Sequence, residues 1–180
     1  MEFFPTELNG VYKVSPKVFE DNRGKFFETY RHDIFAKHGI DAVFVQDNQS
    51  ESEKGVIRGL HYQIPPFAQG KLIRVTRGSV IDIILDLRKN SETFKKYISI
   101  YLNEEDKTML WIPQGFAHGF ASLEDKTTFQ YMCTNFYNPE AERGIRWNDP
   151  DLAISWPVKN QIVSKKDQKL PLLKDILEFF

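Results

Sequence analysis

Two histidines stand where an imidazole could do chemistry. His61 lies in Arg58-Gly59-Leu60-His61-Tyr62-Gln63, and His118 in Pro113-Gln114-Gly115-Phe116-Ala117-His118-Gly119-Phe120. Each sits among glycines and large apolar residues on a strand-like run, where an inward imidazole must find a hydrogen-bond partner or remain costly. Imidazole has an unperturbed pKa near physiological pH, so either residue could move a proton. Two places after His61, on the same strand face, stands Gln63 rather than a second histidine. Zinc and non-haem iron sites ask for about three protein ligands and an open position. With no histidine pair on that face, His61 and His118 point to acid–base chemistry without metal or other cofactor.

The remaining reactive side chains read more plainly. His32 and His38 are expected at the surface, and Cys133, the only cysteine, as core filling on a strand between Met132 and Thr134. One cysteine permits no intrachain disulfide, which suits a reducing cytoplasm. Met1 to Thr6 has neither the basic nor the apolar region of a secretory signal, and no apolar run approaches the ~20 residues of a membrane span. Lys and Arg total 24 against 25 Asp and Glu, a net charge of −1. Nothing in that balance advertises a nucleic-acid or membrane partner.

The elements that must position the histidines are short. At 180 residues and 41% hydrophobic, the chain is expected to form one domain spanning 1–180. Strands are predicted at Val11 to Val18, Lys25 to Thr29, Val43 to Asn48, Val56 to His61, Lys71 to Thr76, Ser79 to Leu87, Lys96 to Leu102, Met109 to Ile112, His118 to Ser122 and Thr127 to Thr134. Turn residues such as Asp21-Asn22-Arg23-Gly24 and Arg77-Gly78 separate them. That spacing predicts an all-β sandwich or barrel. Helix is expected only near His32 to His38, ended by Gly39, and at Leu172 to Phe180. Fifteen Phe, seven Tyr and three Trp exceed what one small core needs, so part of the surplus is expected on a partner subunit or a ligand ring.

Read together, these residues carry a resemblance. The P-x-G-x-x-H run resembles the second motif of cupin barrels, and Gln63 replaces the second histidine of their H-x-H pair. Across nearly its full length the chain resembles the dTDP-4-dehydrorhamnose 3,5-epimerase family. The match runs through Phe19 to Glu28, Gln46 to Ser50, Arg58 to Gln63, Gln69 to Leu72, Asp86 to Arg88, Trp111 to Phe120, Gly144 to Pro150 and Ser164 to Asp167. The resemblance implies a metal-free cupin-type jelly roll with short peripheral helices, homodimeric, that epimerises a 4-keto-6-deoxy sugar carried on dTDP in deoxysugar and rhamnose biosynthesis.

A ketone at C4 acidifies the C–H bonds at C3 and C5, so such a reaction needs a base on one face, an acid on the other and support for the enolate oxygen. His61 is the candidate base. By resemblance, Asp167 orients and supports it, Tyr131 donates the proton and Lys71 holds the enolate, with His118 beside the sugar. Arg23 and Arg58 match diphosphate- or sugar-contacting positions, where guanidinium suits bidentate contact. Glu28, Gln46, Asn48, Glu142 and Lys166 match other substrate contacts, and Tyr137 the ring stacked on thymine. Arg23 and Glu28 are expected to reach across the dimer. Phe67 and Arg143 depart mildly from the pattern and leave the regiochemistry open.

Three other readings compete. A single-centre epimerase or 3,4-ketoisomerase on the same scaffold shares much of the pattern, although His61, Tyr131 and Asp167 together favour epimerisation. A metal-dependent cupin oxygenase would need the histidine that Gln63 replaces. A non-catalytic sugar sensor would have no use for an acid–base trio.

Overall fold

A computed structural model describes residues 1–180. The chain folds into two facing β-sheets and a separate hairpin. The first sheet has the order β1 (Glu2–Pro5), β2 (Tyr12–Ser15), β10 (Met109–Ile112), β7 (Lys71–Arg77), β12 (Thr127–Cys133) and β5 (Gln46–Ser52). The second runs β13 (Glu142–Gly144), β6 (Val56–Gln63), β11 (Phe116–Ser122), β8 (Ser79–Asp86) and β9 (Tyr97–Asn103), with β14 (Ile162–Val163) parallel to β6. The hairpin pairs β3 (Val18–Asp21) with β4 (Gly24–Phe27). Apart from β14, all pairings are antiparallel, and the architecture is an all-β jelly roll of cupin type.

Alternation along the strands explains the two sheets. In β8, Val80 and Ile84 point into the space between the sheets, while Ile83 and Leu85 point outward beneath the C-terminal segment. Both faces are buried, so the strand reads as a nearly continuous apolar run. The inner core joins Ile73, Val75, Leu110 and Phe129 of the first sheet to Val80, Ile84, Phe116 and Phe120 of the second. Burying each such side chain is worth roughly 1.5–3 kcal/mol. A third cluster, with Val14, Phe35 and Trp111, covers the outer face of the first sheet beneath α1 (His32–Lys37).

Several boundaries differ from expectation. The predicted strand Val11 to Val18 stops at Ser15, because Pro16 has no N–H to give a ladder and the chain turns away there into the hairpin, whose first strand, β3, starts at Val18 and was not expected. The predicted strand Val43 to Asn48 begins only at Gln46 and continues to Ser52, held by pairing with β12 from Cys133 to Thr127. The predicted C-terminal helix is one 3-10 turn, Leu173–Asp175. Beyond it the chain lays Ile176, Phe179 and Phe180 against the second sheet, and Phe180 exchanges backbone hydrogen bonds with Leu87 and Lys89. β1, β13 and β14 were not expected; they are short and gain their order from their neighbours.

Candidate active site

His61 enters the cleft from β6 and His118 from β11, directly opposite each other in the ladder. The strands come close there because two glycines meet. A Cβ on Gly59 would lie 2.5 Å from the Gly119 Cα, and Gly59 has φ +121°, where side chains are strained. A register shift between His118 and Phe120 accompanies this approach.

Each imidazole has a carboxylate. His61 Nε2–H donates to Asp167 Oδ1 at 2.7 Å, and Asp167 Oδ2 accepts the Gly59 backbone N–H at 3.4 Å. Asp167 is 4% exposed, far from the solvated charge its lysine-rich surroundings suggest. Burial pushes its carboxyl up, but His61, the Gly59 N–H and Lys166 together hold it below the usual carboxylate range. With Nε2 engaged, Nδ1 of His61 is the nitrogen free to take a proton; this tautomer follows from the hydrogen-bond network.

His118 Nε2–H donates to Asp82 Oδ2 at 2.8 Å; both residues are buried, His118 lines the cleft, and Phe129 stacks beside it. Sequence reasoning missed Asp82. Its signal was a lone carboxylate at an inward position between Val80 and Ile84 of an otherwise apolar strand. Burial raises its carboxyl, opposed by His118 and Lys71, and its Oδ1 has no hydrogen-bond partner.

Across the cleft, the first sheet supplies Lys71 from β7 and Tyr131 from β12. Burial lowers the Lys71 ammonium pKa, while Cys133, Asp82 and Glu142 oppose the shift. The Tyr131 phenol is raised chiefly by burial, so it carries its proton at neutral pH. A cavity of about 550 Å³ is lined by Arg58, His61, Lys71, His118, Tyr131, Lys166 and Asp167 among others. A smaller lobe of about 110 Å³ holds Gln46, Asn48, Tyr137 and Glu142. His61, Lys71 and Tyr131 line both.

The mouth is polar. Tyr137 O–H donates to Glu142 Oε2 at 2.7 Å, and Lys166 Nζ lies 2.5 Å from the same oxygen. Burial would raise the Glu142 carboxyl, but these two donors hold it low. Gln46 Oε1 accepts the Tyr137 backbone N–H and Gln46 Nε2 donates to Asn48 Oδ1. Arg58 is held by the Ser52 hydroxyl and the Glu51 carbonyl, neither of which carries a charge. Tyr137 presents a ring that is 51% exposed.

Arg23 and Glu28 stand apart. Arg23 pairs with Asp21 at the hairpin tip and Glu28 with Arg31, and neither lines either lobe. Arg143 is also engaged elsewhere, by Glu178. Cys133 is buried, as expected, although it faces the smaller lobe. Gln63 donates to the Phe67 and Phe136 carbonyls and accepts from the Asn138 N–H. The amide that stands where cupin barrels carry a second histidine thus staples two loops, with both its hydrogens and one acceptor site committed to backbone.

A His–Asp pair facing a tyrosine and a lysine, with an arginine and an exposed ring at the rim, can move a proton and receive an anionic ligand. The family model described as dTDP-4-dehydrorhamnose 3,5-epimerase matches residues 5–175. The enzyme of that name from Shigella flexneri is 49% identical over 168 residues, 93% of each chain. The crystal structure of that enzyme from Elizabethkingia anophelis NUHP1 superposes with a TM-score of 0.93 at 44% identity, covering 97% of each chain. A 3,5-epimerase from Legionella pneumophila Philadelphia 1, solved in complex with dTDP-4-keto-L-rhamnose, gives 0.93 at 42% identity over 97% of this chain and 94% of its own. Matched over nearly its whole length in sequence and in backbone, the chain belongs to the dTDP-4-dehydrorhamnose 3,5-epimerase family of isomerases.

Proposed function

We propose that the protein inverts both C3 and C5 of a dTDP-linked 4-keto-6-deoxyhexose, and that the residues of this cleft do so without metal. The observation that carries the reading is the placement of His61 and Tyr131. They come from facing sheets, so a sugar ring between them meets a base on one side and a phenol on the other. His61 Nδ1 takes the proton from the carbon next to the ketone, and the electron pair moves to the C4 oxygen. Asp167, already accepting from Nε2, stabilises the imidazolium that forms. The Lys71 ammonium supports the enolate oxygen, with His118 at the same end of the cleft. Return of the electron pair to carbon takes the Tyr131 proton from the opposite face, which inverts the centre. Once His61 has released its proton to solvent and Tyr131 has regained one from solvent, the same two steps at the second acidic carbon complete the reaction.

Arg58 supplies charge for the diphosphate, and Tyr137 a ring for thymine above Gln46, Asn48, Glu142 and Lys166. Arg23 and Glu28 act from the second subunit of a homodimer. Supporting this, the β3–β4 hairpin that carries Arg23 leaves Phe19 and Phe26 exposed, at 52% and 69%, as a docking arm would. No helix is long and apolar enough to cross a membrane, and the reading places the enzyme in the cytoplasm with no nucleic-acid partner.

The test is incubation with dTDP-4-keto-6-deoxyglucose in D2O, following deuterium at C3 and C5 by NMR. Uptake at both positions is expected, and His61→Ala should abolish both. Uptake at one carbon only would make the protein a single-centre epimerase; uptake at neither would refute the reading.

A further inference from the structure

The motif Gly144 to Pro150 contributes no side chain to either lobe of the cleft, yet it holds the segment that does. Asp167 begins a 3-10 turn of only three residues, Asp167–Lys169. So short a turn cannot fix a carboxylate by itself: Asp167 accepts from His61 and the Gly59 N–H and its own N–H donates to Ser164 Oγ, while the chain on either side holds the turn in place. Upstream, Ile162 and Val163 are tied to Val56 and Ile57 of β6. Downstream, the hydrogen bonds that Leu170, Pro171 and Leu173 make beyond their own turns go to the motif. The Arg146 backbone N–H donates to the Pro171 carbonyl and its Nε to the Leu170 carbonyl, both at 2.9 Å. Asp149 is 1% exposed. Its Oδ2 accepts the Leu173 N–H at 2.6 Å, while Oδ1 accepts the N–H groups of Asp151 and Leu152. Gly144 pairs with His61 across the ladder, and Leu170 fills the space its side chain would take, since a Cβ there would lie 2.7 Å from Leu170 Cδ1. The same strand pair that carries His61 therefore seats the chain three residues after Asp167.

We infer that Arg146 and Asp149 are positioning residues, which keep Asp167 in register with His61 by fixing the segment that follows it. The inference rests on the reading of His61 and Asp167 as the proton-abstracting pair. Asp149→Asn keeps the shape and can still serve Asp151 and Leu152 through its oxygen, but it turns an NH2 group toward the Leu173 N–H. Two donors then face each other, and the anchor is lost.

The experiment is a double-mutant cycle with kcat and KM on dTDP-4-keto-6-deoxyglucose and the dissociation constant of dTDP. Asp149→Asn should lower kcat by about tenfold to hundredfold, the scale of a displaced catalytic group, and leave dTDP binding within about twofold because Arg58 and Tyr137 lie outside the anchored segment. In an Asp167→Asn background the same change should alter kcat by less than about threefold, because the group it positions is already disabled. Additive losses, or full kcat in Asp149→Asn, overturn the inference. Full kcat in Asp167→Asn alone would instead sink the dyad reading. Should Asp149→Asn fail to fold, Arg146→Met runs the same cycle, since it keeps the stem and removes the donor to Leu170. Failure of both to fold would assign the two residues to stability and reject the proposal.

Discussion

Removing one oxygen from Tyr131 separates the two halves of the proposed reaction. In Tyr131→Phe the ring keeps its packing against Phe129 and the backbone its place between β5 and β7. The hydroxyl faces the cleft and has no hydrogen-bond partner within the chain, so its loss strands no buried group, and stability should change by less than ~0.5 kcal/mol. The rate is another matter. In the proposed mechanism the phenol is the proton source on the face opposite His61, and loss of one general acid costs ~10²- to 10⁴-fold, about 2.7–5.4 kcal/mol of barrier at 1.36 kcal/mol per decade. Deprotonation survives, because His61, Asp167 and Lys71 are unchanged. NMR in D2O should therefore show deuterium entering the substrate with retention while inverted product falls by that factor, and calorimetry should show dTDP binding unaltered. A Tyr131→Phe enzyme that inverts at the parental rate would mean that water or another residue delivers the proton. One that also stops exchanging deuterium would mean that the hydroxyl takes part in proton removal.

Three further outcomes are expected. Tyr137→Ala should weaken dTDP binding by ~1–3 kcal/mol, the worth of a base–aromatic stack, and leave deuterium exchange at saturating substrate intact; unchanged affinity on titration calorimetry would remove Tyr137 from the nucleotide site. Dialysis against a strong chelator should leave turnover unchanged, because the Gln63 amide is committed to backbone; loss of activity restored by one specific metal would contradict this. Asp86 gives a pH test away from the cleft: burial pushes its carboxyl up, but hydrogen bonds from Arg88, Ser91 and Thr93 outweigh it and hold the pKa at about 2. A depressed carboxylate contributes stability above its unfolded pKa and loses it as pH falls through the folded one, so Asp86→Asn should remove about 2 kcal/mol of acid dependence, lost in the parent between pH ~4 and ~2. Denaturant melts across that range would decide it, parallel curves for parent and variant refuting the assignment.

What the sequence determined follows from local rules. Strands with one or both faces buried, such as β8 and β10, announced themselves because water exclusion demands apolar residues at regular spacing, and the positions of Gly115, Gly119 and His118 marked a turn and an inward imidazole. β5 was placed wrongly for the complementary reason. Its inward residues Gln46, Asn48 and Ser50 face the cleft and its outward ones Asp47, Gln49 and Glu51 face solvent, so a strand that lines a polar site has no apolar period to read. Asp167 behaves likewise: in the chain it is one more charge among lysines, and only the fold brings its carboxylate to 2.7 Å from His61, 106 residues away. Long-range juxtaposition of that kind, together with the pairing of His118 with the unsuspected Asp82 and the opposition of His61 to Tyr131 across two sheets, depends on strand order and register. Neither quantity is encoded in any short window of residues. Both are settled by the burial of whole faces, which only the assembled structure accomplishes.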